Sequence, residues 1–313
     1  TLFKKNWVKF IIMVFLFTAV TSPFVVLFGP FNNVKRAVIG AILQSRHPQY
    51  ITWLFSNDEL QSILGTVGVV KSQDLFKFNA REDKDLKLEK IESSRYVGYV
   101  LEIPDPRRIQ VATAANIQEK GDTTSNIAKM NGAVAAINGG GFHDPNGTGT
   151  GRLPYGFILH EGDYIIGKDV GPDESVDFVG FSKSGNLIAG NYDKTELADM
   201  KAMEGITFGP PLIVDGKKMI TDGDGGWGVG PRTAIGQRKD GTVLFVVIDG
   251  RQPGYSLGAT LRDVQDVLYE KGAYIAANLD GGSSSTLYLN GKVVNKPADL
   301  LGERMIPTAF IVK

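Results

Sequence analysis

Apolar residues in this chain come in blocks of strand or helix length, and two of the blocks are near-copies. Gly132-Ala133-Val134-Ala135-Ala136-Ile137-Asn138 runs into Gly139-Gly140-Gly141-Phe142. Gly272-Ala273-Tyr274-Ile275-Ala276-Ala277-Asn278-Leu279 runs into Asp280-Gly281-Gly282-Ser283-Ser284-Ser285. Each block follows a short helical pattern, and an uninterrupted apolar run of this length predicts a strand buried on both faces. The carboxyl end of such a strand is a common place for a ligand site in layered architectures. Glycines there let backbone N–H groups come close to a ligand, while a neighbouring amide or carboxylate acts on it.

Other apolar segments predict hairpins. Asp215-Gly216 divides Pro211-Leu212-Ile213-Val214 from Lys217-Lys218-Met219-Ile220, and Asn290-Gly291 divides Thr286-Leu287-Tyr288-Leu289 from Lys292-Val293-Val294. Glu161-Gly162 and Asp240-Gly241 are similar, and such pairs supply the positive φ of tight turns. Tyr96 to Ile103 and Arg108 to Thr113 read as strands parted by the turn Pro104-Asp105-Pro106. One helix is well signalled, with Thr260 as N-cap, Asp263 three residues on, apolar Leu261, Val264, Val267 and Leu268, and Gly272 at its end. The fold class is therefore α+β, a large mixed β-sheet domain with few helices.

The N-terminus has a different pattern. From Phe10 to Phe28 no residue is charged, and at about 1.5 Å per residue this run just spans a hydrocarbon core of roughly 30 Å. Lys4, Lys5 and Lys9 precede it and favour a cytoplasmic N-terminus, although Lys35 and Arg36 follow closely. A cleaved signal peptide, processed near Thr18-Ala19-Val20 or Thr21-Ser22, is the rival reading. The apolar run continues past those residues to Phe28, which favours an uncleaved single-pass anchor in the cell membrane with the main domain extracytoplasmic. Pro23 is tolerated in such a helix.

Residues 1–30 then form the anchor and 31–70 a juxtamembrane helical segment. In that segment Val34, Ala37, Val38, Ala41 and Ile42 recur at helical spacing before Pro48. A second short helix is expected from Asn57 through Leu64 to Gly65. Residues 71–94, with Arg81-Glu82-Asp83-Lys84-Asp85 at their most charged, form a solvated linker or an edge segment. The main domain covers 95–313.

Composition narrows the chemistry. The 313 residues include 34 Lys plus Arg and 34 Asp plus Glu, so no global field draws in a nucleic acid. The absence of cysteine excludes disulfides and thiolate metal sites. The three histidines, His47, His143 and His160, fit carboxylate chemistry better than imidazole chemistry.

Glycine, aspartate, asparagine and arginine concentrate in four segments: Asn138 to Asp144, Gly230 to Ala234, Val247 to Arg251, and Asn278 to Ser284. Phe208-Gly209-Pro210-Pro211-Leu212 adds a glycine-proline turn before a strand. Asp249-Gly250 alone reads as a turn; Asp280, followed by two glycines and three serines, is unusual for one. Asp222-Gly223-Asp224-Gly225-Gly226 begins like a calcium loop but lacks the later ligands. Gly147 to Arg152 lacks the lysine ending of a P-loop, and Ser283, Ser284 and Ser285 do not form a nucleophile elbow.

Asn138 to Phe142, Phe208 to Leu212, Pro231-Arg232-Thr233-Ala234, Asp249-Gly250-Arg251 and Asp280 to Ser284 are specific as a set. In this order, over roughly residues 95 to 313, they resemble the phosphodiester glycosidases related to the lysosomal uncovering enzyme, which removes N-acetylglucosamine from a phosphodiester on mannose. Bacterial members with an N-terminal anchor, often labelled exopolysaccharide biosynthesis proteins, are similar too. The eukaryotic enzyme's disulfides have no counterpart here. The resemblance implies a sugar-1-phosphodiester or phosphorylated glycan of the cell envelope as substrate. Such a substrate calls for fork-shaped cations at the phosphate, supplied by Arg232 and Arg251. It also calls for a carboxylate near an oxocarbenium-like anomeric carbon, supplied by Asp280 and Asp249. Asn138, Gly139, Gly140, His143, Thr233, Gly281, Gly282, Ser283 and Ser284 are the expected substrate contacts. No cofactor is signalled, and a divalent cation, calcium or magnesium, stays open. The alternative is a module that binds an anionic glycan without cutting it.

Overall fold

The computed structural model describes residues 2–43, 49–56, 59–60, 63, 70–72, 75–79, 82–144, 149–167, 170–299 and 301–313. Most of the helix expected from Asn57 to Leu64 lies outside these residues, as do His47, Pro48, Arg81, Gly147 and Thr148. The chain divides into two compact units, residues 1–66 with 226–228, and residues 67–225 with 229–313.

In the first unit a helix runs from Leu2 to Phe28. Its stretch Asn6–Phe28 has a mean hydropathy of 2.5 and is long and apolar enough to cross a membrane. Thr18 and Thr21 turn their hydroxyls back to the carbonyls of Val14 and Phe17, so neither asks for water inside the apolar run. A second helix, Asn32–Leu43, appears where the 3.6-residue spacing predicts it. It buries Ile39 with Ile51, Phe55 and Leu60, against Leu27, Ile42 and Leu43.

The second unit is built from three main sheets, and every strand pairing among the described residues is antiparallel. The largest has seven strands in the spatial order Lys87–Glu92, Val97–Ile103, Val243–Ile248, Arg232–Arg238, Ala273–Leu279, Pro211–Val214, Lys217–Lys218. One five-stranded sheet runs Leu187–Tyr192, Val176–Ser182, Ala202–Thr207, Ile158–His160, Asp163–Ile166. The other runs Lys292–Val293, Leu287–Leu289, Ala135–Asn138, Thr308–Val312, Ile109–Thr113. The expected class, strand-rich with few helices, is the one observed; the single large mixed sheet is not, since the strands form three antiparallel sheets. Pro104-Asp105-Pro106 is the crossover: it carries the chain from the seven-stranded sheet into a five-stranded one, with Asp105 capping the short turn Pro106–Arg108.

The three sheets enclose one core. Leu101, Phe245, Ile235 and Ile275 from the large sheet meet Val179, Phe181 and Ile206 from the second, and Ile137, Phe310 and Val312 from the third. Each such side chain contributes roughly 1.5–3 kcal/mol through burial. The Asp215-Gly216, Asn290-Gly291, Glu161-Gly162 and Asp240-Gly241 turns all join antiparallel neighbours. The helix Leu261–Glu270 carries the expected capping box of Thr260 and Asp263. A similar box, Asp193 with Glu196, starts the helix Lys194–Asp199, which the sequence reading did not single out.

Register decides where chemistry can gather. Arg232 pairs with Ile248, Thr233 with Leu279, and Ala309 with Asn138. Three strands therefore end, and two begin, on the same side of the core. The turns after Asn138, Ile248 and Leu279 are brought together with the residues leading into Arg232 and Thr308.

Candidate active site

Asn138 is the hub of that end. Fully buried, it donates its amide to the Asp280 carbonyl at 2.6 Å and accepts the Thr233 hydroxyl at 2.7 Å and the Thr286 N–H at 3.1 Å. Its polar atoms, and the Thr233 hydroxyl, are thus taken up within the protein. The same holds for the glycine turn: Gly139 N–H bonds the Thr308 carbonyl and Gly140 N–H the Thr308 hydroxyl, while the Gly139 carbonyl receives the Asp280 N–H at 3.0 Å. A Cβ on Gly139 would come within 2.5 Å of Thr308 Oγ1, so only glycine lets the two strands close here. Of these residues, all expected as substrate contacts, Asn138 and Gly139 hold the Asp280 backbone from both sides.

Asp280 itself is partly buried at the mouth of the turn Gly282–Ser284. Burial drives its carboxyl up to about 6, against the opposing pull of the Ser284 hydroxyl, Arg304, the Gly281 N–H and Arg251. A carboxylate placed in this range titrates close to neutral pH, the condition for proton transfer in either direction. Ser284, Ser285 and Thr286 carry buried hydroxyls with no hydrogen-bond partner by geometry, as does the Asn278 side-chain oxygen. For Ser284 this means its approach to Asp280 is electrostatically favourable without being a well-formed bond.

Two guanidinium groups flank the turn. Arg232, buried, donates Nε to the Ala259 carbonyl at 3.0 Å, and its Nη1 stands 3.7 Å from the Cβ position of Gly281. Arg251 lies over Gly282, with Nη2 3.3 Å from the Cβ position there. Burial first, and the positive charge of Arg251 second, lower Arg232 to about 10. Like charges do not gather in a buried place without a cost, and an anion between them relieves it. Arg251 also sits at φ +59, in the left-handed region that favours glycine.

Asp249, the other expected catalytic carboxylate, is buried and fully engaged. Oδ2 accepts the Tyr255 hydroxyl at 3.0 Å; Oδ1 accepts the Asn295 amide at 2.9 Å and the Lys296 N–H at 3.0 Å. Its carbonyl takes the Ser256 hydroxyl at 2.6 Å. Burial raises its pKa, and the three donors offset this only in part, leaving it above the ordinary carboxylate range. Its geometry is that of an anchor for the loop presenting Arg251.

Two members of this end, Arg304 and Tyr155, carry no signal in the sequence. Arg304 pairs with Asp144 at 2.7 Å, approaches Ser283, and lies over Phe142. Tyr155 is 40% exposed, stands edge-on to His143 with ring centres 4.4 Å apart, and lies near enough to Asp280 for its hydroxyl pKa to be raised by that charge as well as by burial. Gly141 leaves room for that ring, since a Cβ there would stand 2.8 Å from it. His143 is exposed. No glycine turn announces Arg304 or Tyr155; only the position of the Thr308–Val312 strand beside Asn138 brings Arg304 to this end.

Arg262 receives the Asp222 to Gly226 turn, donating its backbone N–H to Asp224 and Nη1 to the Gly223 carbonyl. Among the described residues no group of three or more His, Asp or Glu side chains converges as a metal site.

Residues 131–313 match the family described as phosphodiester glycosidase. The chain is 32% identical over 197 residues to the SPbeta prophage-derived uncharacterized protein YomE of Bacillus subtilis, covering 61% of this chain and 29% of that one. It is 25% identical over 203 residues to N-acetylglucosamine-1-phosphodiester alpha-N-acetylglucosaminidase of Bos taurus, covering 58% and 36%. The chain thus spans about a third of the length of the curated relatives it matches. In fold it is similar to the zebrafish N-acetylglucosamine-1-phosphodiester alpha-N-acetylglucosaminidase catalytic domain, auto-inhibited by its pro-peptide. That similarity has a TM-score of 0.62 at 20% identity and covers 78% of this chain and 88% of that one.

Proposed function

Because the chain belongs to the phosphodiester glycosidase family, we propose that it hydrolyses a glycosyl-1-phosphodiester, with Asp280 acting at the anomeric centre and Arg232 and Arg251 holding the phosphate. The observation that carries this reading is the meeting of one near-neutral carboxylate with two guanidinium groups on the Gly281-Gly282 turn. In this scheme the carboxylate takes a proton from water as the water oxygen bonds to the anomeric carbon. The bond from that carbon to the phosphate oxygen breaks, and the phosphomonoester leaves with the electron pair. Phosphate leaves more readily than an alcohol, so a second carboxylate acting as a strong acid is dispensable, consistent with Asp249 being engaged elsewhere. The apolar helix supports a membrane anchor, with the second unit outside the cytoplasm acting on an envelope or exopolysaccharide glycan.

The test is product analysis. The full chain in detergent is incubated with α-linked N-acetylglucosamine-1-phosphodiesters beside Asp280→Asn, and products are read by mass spectrometry. Free sugar and phosphomonoester from the parent alone support the reading; equal turnover by both proteins defeats the role of Asp280.

A second reading rests on a specific observation. With Asp249 saturated by three donors, the site holds one available carboxylate instead of a pair, as suits a module that binds an anionic glycan without cleaving it. Binding of the same diesters without product favours it.

A further inference from the structure

Arg304 reaches two separate segments, Phe142 to Asp144 and the turn at Ser283, from its place four residues before the strand Thr308–Val312. Nη2 donates to Asp144 Oδ2 at 2.7 Å, and the two side chains are only 17% and 14% exposed. Nη1 stands 3.4 Å from Ser283 Oγ, and the guanidinium carbon lies 4.8 Å from the centre of the Phe142 ring. The other Asp144 oxygen accepts the Gly149 N–H at 2.8 Å. Nε is buried without a hydrogen-bond partner.

Stability alone does not account for this arrangement. A largely buried ion pair regains only part of what its desolvation costs, and an apolar pair of similar volume often serves the fold as well. An orphaned N–H adds a further cost. What the pair does accomplish is geometric. It ties the segment after the glycine turn to the turn that follows Asp280, and these two turns already share the bond from Asp280 N–H to the Gly139 carbonyl.

We propose that Arg304 is a positioning residue of this site: gripped by Asp144 and laid on Phe142, it holds the Ser283-Ser284 turn and through it the orientation of Asp280. The inference rests on the glycosidase reading for the reaction it serves, and its geometry stands apart from it. The groups that face Asp280 are the Gly281 N–H and Ser284 hydroxyl on its own turn, Arg304, Arg251 and Tyr155 from other elements, with Arg232 beside Gly281. Of these, Arg304 is paired with Asp144 on the facing segment. Its removal and the neutralisation of Asp144 therefore move Asp280 in opposite directions.

The test uses the full chain in detergent with carbon-13 in the aspartate carboxyls, the Asp280 signal being identified by its loss in Asp280→Asn. Arg304→Met is expected to raise the proton affinity of Asp280 about tenfold, and Arg304→Lys to leave it near the parent value. The acidic limb of the kcat profile follows the same midpoint, and kcat falls more than KM rises. An unchanged midpoint in a folded Arg304→Met protein overturns the proposal. If that variant does not fold, Asp144→Asn decides: a lower proton affinity is expected, and an unchanged one overturns the proposal. Absence of turnover in the parent defeats the glycosidase reading alone, since the midpoints still report whether Arg304 governs Asp280.

Discussion

Arg251 lies against Gly282 so closely that a Cβ at residue 282 would stand 3.3 Å from Nη2 and 3.4 Å from Nη1. Gly282 also has a φ of +60. Gly282→Ala therefore meets two obstacles, a left-handed backbone costing about 1–2 kcal/mol and a guanidinium that must shift. Urea denaturation is expected to show that loss, and calorimetric titration with inorganic phosphate a weaker affinity. Unaltered phosphate binding would mean that Arg251 does not depend on this contact.

Arg251→Gly is expected to separate stability from binding. The arginine occupies φ +59 and faces a like charge on Arg232. Glycine relieves both, against roughly 0.4–1 kcal/mol of added unfolded-state entropy. The attraction of Arg251 to Asp280 is lost as well, so the variant should stay close to the parent in stability. Losing a charge-assisted hydrogen bond worth about 1.5–3 kcal/mol should weaken phosphate binding at least tenfold. A variant that is destabilised yet binds phosphate normally would place Arg251 in the scaffold.

The pH dependence of stability carries the sign of the Asp280 shift. Its carboxyl titrates near 6 in the folded protein and near 3.8 in the unfolded chain. Between those values the folded state holds more protons, so stability from this group is complete below the lower value and falls as pH rises through the higher one, by up to roughly 3 kcal/mol. Asn has nothing to ionise. Asp280→Asn should gain on the parent from pH 4 to pH 8 while losing turnover by about 10²–10⁴-fold. A gain in the reverse direction would show that Asp280 is held charged by its cations.

Asp249→Asn provides the contrast. The substituted side chain keeps an oxygen for the Asn295 amide and the Lys296 N–H and offers its new N–H to the Tyr255 oxygen. Turnover within about tenfold of the parent is expected, whereas a catalytic carboxylate would lose the 10²–10⁴-fold typical of acid–base groups. Steady-state kinetics of the variant decides.

Asn138→Ala strips partners from the Asp280 carbonyl, the Thr233 hydroxyl and the Thr286 N–H together. At about 1–3 kcal/mol for each buried group left unpaired, the loss should exceed roughly 3 kcal/mol in chemical denaturation. A smaller loss would mean that water takes the place of the amide.

The hairpins, the Thr260 cap and the two buried strands ending in glycine turns were legible because each is written in neighbouring residues. Asp280 and Arg251 stand beside a glycine in sequence and Arg232 two residues after one, and the fold brings all three to the Gly281-Gly282 turn. The division into three sheets was not legible: Val97–Ile103 and Ile109–Thr113 look like a hairpin in sequence, yet Pro104 to Pro106 sends them into different sheets. Nor was the engagement of Asp249, whose partners Asn295 and Lys296 lie more than forty residues away along the chain. Arg304 carries no local signal because its role follows from a strand register.

That register has a consequence for the life of the polypeptide. Thr308 holds both Gly139 and Gly140, and its strand lies between Ala135–Asn138 and Ile109–Thr113. The slot for this strand stays open while about 170 further residues are synthesised after Asn138, and closing such distant pairings is slow. Until it closes, the backbone beside Asp280 has no fixed course. Any activity of this end should therefore appear only once that strand has docked, and a chain cut before Thr308 should lack it.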